Sequence, residues 1–390
     1  MPAVSAEASA AYDFLVIGGG MAGVSIADAL AGDARVALLE AEAHLGYHST
    51  ARSAALFAPA YGSDAFRALT RASEPFLASP AAGEFPASLL APRGALLIAR
   101  ADQLGALQQE IESVERSRVP IERLSGAQAC TKVARLRSDY VSAAAYEPGV
   151  RDIDVDGLFQ GLVRRAKRAG VRFFSGAAFG SAQRRAGLWH LQLGADELRA
   201  PVVINAAGAW ADLIAARFQA MPLGLKVLRR SAALIEAPAG EDISGWPAIF
   251  DIDDRFYLKP DAGRLLISPA DEEPVVPCDA HAEDLTIAVA VERIEAAFDI
   301  NVARAQRIWA GLRTFAPDRD PLIGYDSRVP GFFWCAGQGG YGIQSAPAFA
   351  ALAAAIARGE PVPEPLQAEG VTAAAVAPAR LTTGAGAGQS

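Results

Sequence analysis

Asp13-Phe14-Leu15-Val16-Ile17-Gly18-Gly19-Gly20-Met21-Ala22-Gly23, with Arg35-Val36-Ala37-Leu38-Leu39-Glu40 after it, decides the fold. It predicts a buried strand, a tight glycine turn, a helix running to Leu30 and a second strand that ends on an acid. Gly18 permits the sharp turn, Gly20 lets backbone N–H groups approach a pyrophosphate, and Gly23 lets the helix pack close to the sheet. A phosphate would then face the positive end of the helix dipole. Glu40, 17 residues after Gly23, falls where it can accept from an adenosine ribose. In a chain with 36 glycines the pattern alone is weak, but the strand before it and the acid after it point to a dinucleotide.

At 390 residues the chain exceeds one ordinary core, so two or three domain-sized units are expected. A net charge of −8 leaves no basic surplus for nucleic acid. No apolar run is long enough for a membrane span, and residues 1–10 lack the pattern of a signal peptide. Three widely separated cysteines and four histidines without ligand spacing predict no metal site and a cytoplasmic setting.

Further along, a helix over Asp156–Ala169 precedes a short strand at Val171–Phe174. The β-branched run at Pro201–Asn205 then opens into small residues, Ala206-Ala207-Gly208-Ala209, which let a ligand approach the backbone. Residues 223–314 predict a mostly antiparallel unit, with a hairpin over Phe256–Ile267 turning at Asp261-Ala262-Gly263. A buried strand at Phe332–Gly337 leads into Gln338-Gly339-Gly340-Tyr341-Gly342-Ile343-Gln344 and an Ala-rich helix. The expected architecture is α/β. A discontinuous Rossmann-like dinucleotide domain (1–60, 147–222 and 315–368) carries an inserted α+β substrate domain (61–146 and 223–314) built on a mostly antiparallel sheet. Residues 369–390 are expected to form a flexible tail.

Taken in order, several segments resemble the FAD-dependent D-amino-acid oxidase superfamily, and most closely its bacterial D-arginine dehydrogenase-like enzymes. They are Gly18–Gly23 with Glu40, Gly46–Ala55, Asn205–Trp210, Phe256–Asp261, Trp309–Arg313 and Gln338–Gln344. The resemblance implies FAD as cofactor. Its pyrophosphate would lie against Gly20, Met21, Ala22 and Gly23, and its adenosine beside Glu40, Ala41 and the Ala178 backbone. Ser49, Thr50, Arg52, Ser53, Ala54, Ala55 and Leu56 would line the flavin side, with Ala207 and Gly208 below. Gly339, Gly340, Tyr341, Gly342, Ile343 and Gln344 would hold the isoalloxazine edge through backbone donors.

The resemblance also implies oxidative deamination of a D-amino acid by hydride transfer to flavin N5, with hydrolysis of the imino acid to a 2-oxo acid and ammonia. Oxygen or a quinone would be the electron acceptor. Arg230 and Arg313 would grip the substrate carboxylate. Tyr257 would bond it too, Tyr61 would close the pocket, and Gly340 and Gln344 would face the substrate amine. Arg229, next to Arg230, leaves that assignment open by one residue. Two departures stand out: Leu56 replaces a histidine, and Ala95 replaces the carboxylate that holds a distal cation. Without that acid a buried guanidinium would be unpaired, so apolar or small side chains are expected over cationic ones. The alternatives are a secondary-amine or cyclic imino-acid oxidase of the sarcosine/glycine oxidase type, a biosynthetic amine oxidase, and a flavin-binding protein without turnover.

Overall fold

A computed structural model of the protein describes residues 11–382. The first ten residues of the expected dinucleotide domain and the last eight of the expected tail lie outside it.

The strand Phe14–Ile17 is buried along its whole length and sits in the middle of a six-stranded sheet. The sheet order is Leu322–Tyr325, Phe332–Ala336, Val202–Asn205, Phe14–Ile17, Val36–Glu40 and Arg172–Ser175. All neighbours are parallel except the outermost pair, Leu322–Tyr325 with Phe332–Ala336. Such strands are covered on both faces, which explains their near-continuous apolar sequences. One face packs against helices Met21–Leu30, Val155–Arg168 and Ala346–Arg358. The other meets a three-stranded antiparallel sheet over residues 182–200 and the helix Ala211–Arg217.

A nine-stranded, mostly antiparallel sheet forms the second unit, with the long strand Lys226–Glu236 near one end of it. That strand pairs with Arg264–Ser268 and with Arg307–Phe315. One parallel pair, Ala248–Asp251 with Ala95–Ala99, brings the earlier segment into the same sheet. Asp152 ties the units together, accepting from Lys259 Nζ and Arg93 Nε, each at 2.7 Å.

Two boundaries differ from the sequence expectation. The helix Asp64–Ala78 belongs to the dinucleotide unit, because Phe66, Leu69 and Leu77 bury into that core. Its Ser73 Oγ also accepts from Ala348 N at 3.1 Å. The expected flexible tail is docked over its described part: Val371 and Val376 are buried, and Arg380 pairs with Asp318 at 2.7 Å. Composition hid both valines among small residues.

Glu147, at the end of the strand Ala143–Glu147, is a buried carboxyl whose Oε2 has no hydrogen-bond partner. Burial, with a smaller push from Glu110 against the pull of Arg67, raises its pKa to about 7. The unfolded chain releases this proton near the ordinary carboxylate value, so between about pH 4.5 and 7 the folded state holds the extra proton. Stability should therefore fall across that window and level off above it, by about 3 kcal/mol in all. Glu147→Gln should melt at a higher temperature than the wild type at pH 8 and level with it at pH 5. A thermal melt series across pH checks this, and parallel curves for the two proteins would contradict it.

Candidate active site

Gly18 leaves the first strand at φ +107°, and a Cβ there would sit 2.4 Å from Ala206 O. A Cβ on Gly23 would sit 1.8 Å from Gly18 O, so the helix can approach the turn only without a side chain. Glu40 braces the turn from the second strand. Its Oε2 accepts from Gly19 N at 2.6 Å and its Oε1 from Glu42 N at 2.8 Å. A carboxylate has about four lone-pair directions, so two remain for a ligand. Met21 N donates to Thr50 Oγ1 at 3.0 Å. Among the described residues, the N–H groups of Gly20, Ala22 and Gly23 make no hydrogen bond. Unpaired amides at a helix start are a ready anion site.

Beside this turn opens a cavity of about 410 Å³ that reaches from one sheet to the other. The carboxyl ends of the parallel strands supply Ile17, Leu39, Glu40, Ala206 and Ala336. The antiparallel sheet supplies Arg230, Ala232, Tyr257, Leu312 and Arg313. Between them runs the loop 46–54, clamped to the second sheet. Ser49 Oγ donates to Leu312 O at 2.6 Å, Arg52 Nη1 to Ala280 O and Ala310 O at 2.9 and 3.0 Å, and Trp309 Nε1 to Arg52 O at 3.1 Å.

The strand Lys226–Glu236 alternates faces and so separates its two arginines. Arg229 turns to Glu273, Glu283 and Asp271, whereas Arg230 lines the cavity, which resolves the ambiguity between them. Arg313 is half-buried in the cavity wall, with Tyr61, Tyr257 and Tyr341 around it. Burial opposes its charge, but Tyr61, Tyr257 and Tyr341 outweigh that and raise its pKa above the ordinary value. Burial, with repulsion from Arg313, lowers that of Arg230. Both guanidiniums remain charged at neutral pH. Arg230 Nε is buried without a partner. Glu272 meets Arg230 at 3.1 Å and Arg319 at 3.0 Å. Burial works against ionisation of Glu272, but Arg319, Arg230 and Arg313 hold its carboxyl below the usual range.

The loop 338–344 passes behind this cluster. A Cβ on Gly340 would come within 2.9 Å of Arg313 Cζ, so the backbone packs directly on the guanidinium. Gly339 N donates to Thr314 O at 2.8 Å and Tyr341 N to Gln338 O at 2.9 Å. Among the described residues, the N–H groups of Gly340, Gly342 and Ile343, which line the cavity, make no hydrogen bond. Gln338 Nε2 and His48 Nδ1, from two further lining residues, are buried and unpartnered.

Most residues expected from sequence line this cavity, including Ala41, Thr50, Ser53, Ala54, Ala178, Ala207, Gly208 and Gly339. Six do not. Gly23 serves helix packing, and Ala55 packs against the dinucleotide core. Leu56 is drawn into a short strand opposite Asp152. Tyr341 packs on Phe66 and Tyr61, with ring centroids 4.5 and 5.0 Å away. Tyr61 is exposed against the Tyr341 ring and lies outside the cavity wall. Gln344 is buried and its Oε1 accepts from Ala58 N at 2.9 Å, so it anchors the Tyr61 loop. Ala95 also lies outside the wall, buried in its strand. Sequence reasoning missed Gln338, Thr314 and Arg217 in the wall, and Glu272 with Arg319 beside it. Of these only Gln338 lay inside a motif, ahead of the glycine turn. Among the described residues no group of three or more His, Cys, Asp or Glu could hold a metal, and no helix is long and apolar enough to cross a membrane.

The cavity suits FAD on its own chemistry. Unpaired amides stand at the helix start, a carboxylate ends the second strand, and apolar walls lead to a second set of unpaired amides at Gly340, Gly342 and Ile343. The comparisons agree with this. The family model described as "DAO: FAD dependent oxidoreductase" matches residues 13–356. "FAD-dependent oxidoreductase domain-containing protein 1" of Mus musculus is 24% identical over 294 residues, 66% of this chain and 60% of that relative. The chain thus spans less than two thirds of that relative's length. Among solved structures, glycine oxidase from Geobacillus kaustophilus superposes with a TM-score of 0.78 at 22% identity, covering 90% of this chain and 95% of the other. L-alpha-glycerophosphate oxidase from Mycoplasma pneumoniae, with FAD bound, gives 0.80 at 16%, with the same coverages. At these identities the two structures are alike in fold.

Gly23→Ala forces a Cβ into Gly18 O, an overpacking that costs about 1–3 kcal/mol. It should weaken FAD retention at least about 10-fold, whereas Gly105→Ala, on the helix Leu104–Arg116 with open space around the new Cβ, should leave it unchanged. The ratio of flavin absorbance to protein after purification measures both. Equal retention in the two variants would contradict the assignment of the turn.

Proposed function

We propose, for a chain that belongs to the DAO family of FAD-dependent oxidoreductases, that the substrate is a D-amino acid with an apolar or small side chain. The product would be the imino acid, which hydrolyses to a 2-oxo acid and ammonia. The observation that carries this reading is the pair Arg230 and Arg313, two charged guanidiniums turned toward one end of the cavity. FAD, when bound, supplies the two-electron acceptor.

The protein's own part is binding and orientation. A carboxylate between the two guanidiniums would relieve their mutual repulsion and give Arg230 Nε the acceptor it lacks. Tyr257 stands beside them with a further donor. Such a grip fixes the α-carbon relative to the glycine loop 339–343, and the apolar walls keep water from the reacting bond. A neutral amine can lose its α-hydrogen without a strong protein base, and no histidine is needed where Leu56 stands. A cationic side chain would face Arg230, Arg313 and Arg319, and the nearby Glu272 is already shared between two arginines. Repulsion therefore supports small or apolar side chains over D-arginine. Three unpaired cysteines support a reducing, cytoplasmic setting.

Anaerobic mixing with D-leucine should bleach the flavin, with L-leucine and N-methylglycine much slower and D-arginine at least about 10-fold slower. Arg313→Gln should raise KM for D-leucine by about 100-fold, the scale of a buried charge pair cut on one side. A preference for D-arginine, or an Arg313→Gln enzyme with unchanged KM, would overturn the reading.

A further inference from the structure

We infer that Glu272 is a specificity-determining residue: a built-in carboxylate that occupies one side of Arg230 and sets the site for ligands with a single carboxylate. The inference rests on the proposal that Arg230 and Arg313 hold the substrate carboxylate.

The segment 269–274 carries three consecutive acids, and each has a different partner. Asp271 accepts from Ser231 N at 2.7 Å and from Ser231 Oγ at 2.8 Å, which fastens the segment to the strand that bears Arg230. Glu273 pairs with Arg229 on the opposite face of that strand. Between these two anchors Glu272 is held over Arg230. Its Oε1 lies 3.1 Å from Arg230 Nη2 and 3.0 Å from Arg319 Nη2, and its Oε2 lies 3.2 Å from Arg319 Nη1. Arg319 is itself fixed, with its guanidinium 3.8 Å from the Phe315 ring centroid. Its backbone sits at φ +65°, an unusual conformation for a non-glycine residue.

Arg230, Arg313 and Arg319 carry three positive charges, and Glu272 offsets one of them. A ligand carboxylate binds Arg313 and the free Nε of Arg230, but meets an Nη2 already engaged. A second carboxylate on the same ligand meets Glu272 itself. Glu272 therefore lowers affinity for any carboxylate and lowers it further for a dicarboxylate. Arg319 works the other way: it draws the Glu272 charge toward solvent and away from Arg230.

The test is isothermal titration of the holoenzyme with propionate and with succinate. Glu272→Gln keeps the shape and removes the charge. It should tighten propionate by about 10-fold and succinate by several-fold more, a difference that shrinks in 0.5 M salt. Arg319→Gln leaves Glu272 wholly to Arg230 and should weaken both ligands. A merely structural ion pair would move the two variants in the same direction and leave the succinate-to-propionate ratio unchanged, and that result overturns the inference. Arg313→Gln serves as the reference. If it loses propionate while Glu272→Gln behaves as wild type, the inference alone falls. If it binds propionate normally, the carboxylate site is elsewhere and the inference falls with it.

Discussion

Everything at this site depends on the seam where the loop 46–54 meets the strand Arg307–Phe315. Ser49 and Arg52 give their side chains to the carbonyls of Leu312, Ala310 and Ala280, and Trp309 returns a bond to Arg52 O. These bonds hold a loop from the dinucleotide unit against the backbone of the antiparallel sheet. The same loop sends Thr50 Oγ1 to the N–H of Met21 at the helix start. One short segment thus fixes the distance between the anion-binding turn and the arginine cluster. A cofactor held by the turn has its far end directed to Arg230 and Arg313 because of that seam.

Two like charges, Arg230 and Arg313, line the same cavity inside the protein. A buried guanidinium without a partner is costly. Arg313 stands among the neutral phenol dipoles of Tyr61, Tyr257 and Tyr341, and Arg230 has the Glu272 carboxylate, so part of the cluster's charge is compensated before any ligand arrives. The compensation is incomplete, since Arg230 Nε lacks a partner and the two guanidiniums repel each other. The cluster is preorganised for an anion, which keeps the cost of orientation low when the anion binds.

The fold and the cofactor end were legible in sequence because local chemistry dictates them. Gly18, Gly23 and Glu40 act within one strand-turn-helix-strand unit, and their spacing survives any tertiary context. Arg230 and Tyr257 were reached only through the family resemblance, and the choice between Arg229 and Arg230 needed the strand's faces in three dimensions. What escaped detection depended on contacts distant in sequence. Gln344 was read as a substrate amide, but a loop 286 residues away claims its oxygen. Ala55 ends the motif Gly46–Ala55, and Leu56, directly after it, is pulled into a separate small sheet. Glu272 is one of three consecutive acids, and only the neighbouring strand separates them, with Asp271 and Glu273 on the Arg229 side and Glu272 on Arg230. The docking of residues 371–381 rests on Val371, Val376, Leu381 and the Arg380–Asp318 pair, too few apolar residues to register as a periodic pattern.

The most direct measurement is a crystal structure of the holoenzyme with a small unreactive carboxylate such as propionate. The account predicts the carboxylate within hydrogen-bond distance of both Arg230 and Arg313, on the glycine-loop side of Tyr257. A carboxylate bound elsewhere, with the two guanidiniums left to protein partners alone, would contradict it.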